Sequence, residues 1–240
     1  MRLALMQPTF DPWLGYFDLI DYADIFVFLD TVQLNRQSWQ TRNRLLLGGK
    51  EHLFPLPVIN DRSSGKTLIK EARLDFRRFD FRKKLIRTLE QYYRKSPYFD
   101  EVHPFLRSLI MYETPFLSEY NTHMIGKICE KTGIATPLVR LSETSFSSDA
   151  QKGALVFDVC RYFDADIYVS PIGAKEYLQQ SAGLFEESGI TVEFQYYQHP
   201  QYRQQSEVFV PYIGIFDILY NEGTQKALEI IRTGRKYENR

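Results

Sequence analysis

The chain alternates short, continuous apolar runs with stretches whose apolar residues recur at helical spacing. Leu3-Ala4-Leu5-Met6 is a run of the kind that forms a fully buried strand, and Gln7-Pro8 ends it. Trp13, Tyr16, Phe17 and Ile20 then recur at helical spacing, and Ile25-Phe26-Val27-Phe28-Leu29 forms a second apolar run ended by Asp30. Strand, short helix and strand in about thirty residues read as a right-handed βαβ unit.

The pattern changes after residue 30. Arg42–Leu47 and Glu51–Pro57, on either side of Gly48-Gly49-Lys50, read as a β-hairpin, and Lys66–Leu74 as a third strand beside it. Residues 61–66 read as a mobile loop. Phe79–Thr132 is helical: one amphipathic helix stops near Ser96-Pro97, a second covers Val102–Met111, and a third covers Leu117–Thr132 with Gly133 as its cap. Strand–helix alternation then returns, with strands at Pro137–Leu141, Ile167–Val169 and Val192–Tyr196. Helices are expected over Ala154–Phe163, Ala174–Gln180, Ile215–Tyr220 and Thr224–Ile231. Five apolar strands separated mostly by helices predict an α/β fold with a mostly parallel, Rossmann-like sheet flanked by helices. We read one domain over residues 1–240, with an elaborated insert of hairpin and helices at about 36–132.

Composition narrows the function classes. Thirty Lys+Arg balance thirty Asp+Glu over 240 residues, so no basic excess points to nucleic acid. Hydrophobic residues make up 44% of the chain and aromatic ones 15%, which excludes general disorder. Neither a signal peptide nor a membrane span is evident, and Cys129 and Cys160 sit in apolar helical patterns as two buried thiols. The expectation is a cytoplasmic chain. The 16 Tyr and 18 Phe exceed what a core of this size needs, so part of them is expected to line a pocket.

Ligands of such sheets bind at the carboxyl ends of the strands, which selects a set of candidates. After the first strand come Gln7, then Trp13-Leu14-Gly15-Tyr16, where Gly15 is expected to let the helix approach the strand. Asp30, ending the second strand, suits a general base, a metal ligand or a helix cap. Gln33 follows it, then Trp39 with Arg42, Asn43 and Arg44: an aromatic wall beside guanidinium groups suited to phosphate or carboxylate. Arg42 is the arginine selected, and Arg36, Arg44 and Lys175 add positive charge near the same edge. Ser170, Gly173, Lys175 and Tyr177 follow the fourth strand as an anion nest, in which Lys175 opposes the helix dipole unless an anion compensates it. His199, Tyr202 and Gln204 follow the fifth, with His199 the candidate acid or base. No metal-ligand spacing is present, nor a P-loop, Gly-x-Ser-x-Gly or GxGxxG motif.

The first strand-end loop resembles that of nucleotidylyltransferase-like enzymes, with both of their histidines replaced, by Trp13 and Tyr16. The ordered set as a whole resembles the WbqC-like protein family over about residues 3–223. The stretches that carry this are Leu5-Met6-Gln7-Pro8 with Pro12 and Gly15-Tyr16-Phe17; Asp30-Thr31-Val32-Gln33 with Trp39 and Arg42-Asn43-Arg44; Lys152-Gly153 leading to Tyr168, Ser170, Gly173 and Lys175; and His199-Pro200, Tyr202 and Gln204 leading to Asp217 and Asn221-Glu222-Gly223. Two positions depart from the family's pattern: Thr9, usually aromatic, and Gly214, often Ser. A catalytic role for that serine is therefore absent here.

The resemblance implies an enzyme of bacterial surface-polysaccharide (O-antigen) biosynthesis that transfers an acyl or aminoacyl group, such as glycyl, to a nucleotide-linked amino sugar. His199, Asp30 and Lys175 are the expected catalytic residues. Gln7, Tyr16, Gln33, Trp39, Arg42, Asn43, Ser170, Gly173, Tyr177, Tyr202 and Gln204 are the expected substrate contacts. ATP is the candidate cofactor if the chain activates its own acyl group, and aminoacyl-tRNA or a thioester is the donor if it does not. A homo-oligomer is compatible with the sequence. The alternatives are a nucleotidylyltransferase-like enzyme and a non-catalytic binding or assembly subunit.

Overall fold

The computed structural model describes residues 1–35, 37–59 and 67–239. Arg36 and the loop expected over residues 61–66 lie outside the described residues. β1 (Arg2–Met6), α1 (Leu14–Tyr22) and β2 (Ile25–Phe28) form the βαβ unit that the apolar runs predict, with Leu3 opposite Ile25 and Leu5 opposite Val27 in parallel register. β3 (Arg42–Leu47) and β4 (Lys50–Pro55) form a separate two-stranded hairpin. Its turn places Gly48 and Gly49 at φ of 60° and 77°, the left-handed pair that a two-residue hairpin turn demands. The third strand expected over Lys66–Leu74 does not form among the described residues. Ile69–Glu71 makes a 3₁₀ turn instead. Ile69 and Ala72 both bury, and a strand would send two residues three apart to opposite faces.

The helical insert is α2 (Phe81–Tyr93), α3 (Phe99–Ile110) and α4 (Leu117–Thr132). After it come β5 (Leu138–Arg140), α5 (Lys152–Tyr162), β6 (Ile167–Pro171), α6 (Lys175–Gln179), α7 (Ala182–Glu187), β7 (Thr191–Gln195), α8 (Ile215–Thr233) and β8 (Tyr237–Asn239). The helix expected over Ala174–Gln180 is thus followed by a second short one. α8 is broken at Gly223, where φ is 80°, close to the gap expected between the last two helices.

The main sheet runs β5-β2-β1-β6-β7-β8, parallel except for β8, which pairs antiparallel with β7. Side-chain alternation assigns its two faces. Ala4, Phe26 and Phe28 pack with α1, the insert and α8, while Leu3, Leu5 and Val27 pack with α5, α6 and α7. From β1 the chain builds outward through β2 to β5, and from β6 it builds the other way through β7. The order therefore reverses between β1 and β6, which is where a crevice opens at the carboxyl ends of such strands. No helix among the described residues is long and apolar enough to cross a membrane.

Candidate functional site

A cavity of about 250 Å³ opens past the carboxyl end of β1, lined by Trp13, Tyr16, Trp39, Asn43, Arg44 and Tyr212. The chain doubles back tightly to build it. Trp13 caps α1 with extended backbone, and its indole folds over Gly15. A Cβ on Gly15 would stand 2.2 Å from the indole Cη2. The glycine makes room for this ring, and its carbonyl accepts from Gln195 Nε2 of β7 at 2.9 Å. Tyr16 is buried; its hydroxyl donates to the Gln7 carbonyl at 3.0 Å, and burial raises its pKa. The Gln7 side chain accepts from the Gln40 amide at 2.7 Å. Asn43 Nδ2 donates to the carbonyls of Phe10 and Asp11 at 2.8 and 2.7 Å, so this side chain holds the cavity loop in place. Trp39 is 44% exposed, and the Arg44 guanidinium lies 5.1 Å from the centre of its ring. The ion pair from Arg44 to Glu51 is long, at 3.4 Å, which leaves guanidinium N–H groups for an anion.

His199 stacks behind this wall. Its ring is 6.1 Å from Trp13, tilted by 15°, and 5.3 Å from Tyr212. Nδ1 lies 2.9 Å from the Pro200 carbonyl, which can only accept, so Nδ1 carries the proton. Nε2 is then a bare lone pair, buried without a partner among the described residues, and burial lowers the imidazole pKa. The histidine is a neutral base shielded by aromatic rings.

Tyr202 and Gln204 converge on a carboxylate that the sequence-based site did not include. The Tyr202 hydroxyl donates to Asp217 Oδ2 at 2.8 Å, and Gln204 Nε2 to the same oxygen at 3.1 Å. Tyr93 donates to Oδ1 at 2.9 Å, and Asn221 adds a longer bond at 3.3 Å. Burial pushes the Asp217 carboxyl up to about 6, against these donors, which lower it. Beside it lies Asp11, fully buried with φ of 43°; its Oδ1 accepts from the Phe216 amide at the start of α8, and its Oδ2 has no partner among the described residues. Burial holds the Asp11 carboxyl well above the usual range. Gly214 is the reason Asp11 fits, since a Cβ there would stand 2.0 Å from Asp11 Oδ2. A serine at 214 and Asp11 in this pose exclude one another. Thr9, the other departure from the family pattern, also lines the cavity, where an aromatic ring would take up space.

The remaining candidates do not join this cavity. Asp30 is fully buried and accepts from Ser118 Oγ at 2.9 Å, Ser142 Oγ at 2.6 Å and the Ser142 amide at 3.0 Å. It ties α4 and the turn after β5 to the end of β2. Ser170 is buried, and its hydroxyl makes a long bond to the Pro171 carbonyl at 3.4 Å. Lys175 lies over the Phe194 ring at 5.6 Å, while Gly173 and Tyr177 are exposed nearby. Arg42 is half-buried, with its Nε unpartnered among the described residues. Gln33 is exposed and lines a different cleft. No group of three or more His, Cys, Asp or Glu able to hold a metal occurs among the described residues. Of the residues that sequence reasoning left out of the site, Trp13, Arg44 and Asp217 stood in stretches already singled out, whereas Tyr212 and Asp11 carry no local motif of their own.

A relative from Mycobacterium tuberculosis (strain ATCC 25618 / H37Rv), the uncharacterized protein Rv1507c, is 30% identical over 227 residues, covering 93% of this chain and 95% of its own length. No solved structure matches the chain. The model of the WbqC-like protein family matches residues 7–229, a span that takes in the cavity loop, Asn43, His199 and Asp217, and the chain belongs to that family.

Proposed function

We propose that the chain is a group-transfer enzyme that adds an acyl or aminoacyl group, such as glycyl, to a nucleotide-linked amino sugar for bacterial surface polysaccharide. It would act in the cytoplasm as one domain with an insert at about 36–132. The observation that carries this reading is the aromatic cavity at the end of β1, with Arg44 at Trp39 and the neutral His199 behind Trp13. Flat aromatic walls suit a sugar or base face, and the Arg44 fork suits a phosphate or carboxylate. Once Trp13 or Tyr212 turns aside, Nε2 of His199 takes a proton from the sugar amine as it attacks the acyl carbonyl. The new C–N bond forms, the bond to the leaving group breaks, and the same proton passes to the leaving group. ATP is the activating reactant if the carboxylate arrives free; aminoacyl-tRNA or a thioester replaces it otherwise.

The test is incubation with glycine, a UDP-linked amino sugar and either ATP or glycyl-tRNA, following the amide product and AMP by mass spectrometry. Product is expected from one donor, with loss of turnover in His199→Gln and weaker sugar-nucleotide binding in Trp39→Ala and Arg44→Ala. Full turnover in His199→Gln overturns the role of the base. The strand order supports a second reading, a nucleotidylyltransferase, since the β1/β6 reversal is a nucleotide-binding topology. Pyrophosphate release from a nucleoside triphosphate and a sugar phosphate identifies that case.

A further inference from the structure

We propose that a second cleft on the same sheet edge is a phosphate-binding site, distinct from the aromatic cavity. It measures about 530 Å³ and lies between the loop after β2 and the loop that leads from β5 into α5. Among the described residues, none that lines it is acidic, and none is shared with the aromatic cavity. Two stretches that stand out in the sequence meet here: Thr31-Val32-Gln33 and Lys152.

The cleft gathers positive charge and hydrogen-bond donors that the fold leaves unused. Lys70 reaches it from the 3₁₀ turn and Lys152 from the start of α5, and neither has an ion-pair partner among the described residues. The hydroxyls of Thr31 and Ser147 make no hydrogen bond among the described residues, whereas the Ser148 hydroxyl donates to Asp158. Lys152 stands in the first turn of an eleven-residue helix that has no side-chain cap and no acidic residue in that turn. The helix dipole disfavours a cation there, and Lys70 is a second cation lining the same cleft. An anion held by the two lysines removes the dipole penalty. Two ammonium point charges with hydroxyl donors suit a phosphoryl group, whereas the planar fork of Arg44 in the other cavity suits bidentate contact. The site does not depend on the reaction proposed above.

The test is isothermal titration of the full chain with inorganic pyrophosphate at low salt, with circular dichroism to confirm that each variant folds. Both lysines are exposed, so folding is expected to persist in the variants. Wild type is expected to bind, Lys70→Gln/Lys152→Gln to raise Kd at least tenfold, Lys70→Arg/Lys152→Arg to restore binding, and Trp39→Ala/Arg44→Ala to leave it unchanged. Competition by ATP assigns the phosphate to a nucleoside triphosphate, and competition by a UDP-sugar assigns it to a sugar nucleotide; either supports the site. Absence of pyrophosphate binding overturns it. So does a Kd that fails to rise tenfold in the glutamine variant, or a loss that follows Trp39→Ala/Arg44→Ala instead.

Discussion

Arg235→Met tests how the turn between α8 and β8 locks the helix that supplies the cavity wall. Asp18 of α1 is fully buried, and its carboxylate accepts from Arg235 Nε at 2.7 Å, Gln195 Nε2 at 2.9 Å and the Tyr237 hydroxyl at 2.8 Å. Arg235 brings the only cation in this set and also pairs with Asp21. Methionine keeps much of the apolar stem while removing the charge, so Asp18 is left as a buried carboxylate with two neutral donors. Breaking a buried ion pair in this way costs about 3–5 kcal/mol. The Arg235 side chain is 27% exposed, so water relieves part of the penalty, and the expected loss is about 2–3 kcal/mol. For a chain of this length that lowers Tm by roughly 5–10 °C.

The assay is urea unfolding at neutral pH, read as a shift in midpoint at constant slope. Adding Asp18→Asn removes the stranded charge, and the double variant is expected to regain about 1–2 kcal/mol over Arg235→Met alone, as a double-mutant cycle measures. A loss below about 0.5 kcal/mol in Arg235→Met refutes the reasoning. A double variant no more stable than the single one also refutes it, because the cost would then not come from an unpaired Asp18.

Gly214→Ser drives a side chain into Asp11 Oδ2 and is expected to lower stability by about 1–3 kcal/mol in thermal unfolding; an unchanged Tm would show that Asp11 moves aside freely. His199 is expected to titrate below 6.5 by NMR, and to rise toward that value in Trp13→Ala as water reaches the ring. Because its folded pKa is depressed, its contribution to stability is present above pH 6.5 and is lost as pH falls through the folded value. Asp217 has the opposite sign: its folded pKa is raised from 3.8 to about 6, so its contribution is full below 3.8 and is lost as pH rises through about 6. That span is worth about 3 kcal/mol, and the corresponding slope in unfolding free energy is expected to vanish in Asp217→Asn.

The parts of the fold legible in the sequence were those fixed by near neighbours. Apolar runs at Leu3–Met6 and Ile25–Phe28 gave strands because continuous burial on both faces requires them, and the Gly48-Gly49 pair gave the hairpin because its turn needs two left-handed residues. β8 was not legible: Tyr237–Asn239 is short and polar, and it becomes a strand only because β7 offers an open edge and Asp18 a buried acceptor. The site divides in the same way. The aromatic surplus and the stretches around Tyr16, Trp39 and Asn43 pointed to a cavity at the end of β1, where these residues meet. The sequence could not show that Arg44 rather than Arg42 lines it, because residues two apart on a strand share a face and only the neighbouring chain distinguishes them.

Sequence alone determined most of the helices, the five parallel strands of the main sheet, and the family, because periodicity and motif order are local and cumulative. Tertiary structure decided what each polar group does. Asp30 finds its partners 88 and 112 residues away in Ser118 and Ser142, and Tyr202 and Gln204 close on Asp217 with Tyr93, 124 residues from it. A buried polar group must be satisfied by whatever the folded chain brings beside it, and that is set by how distant segments cross.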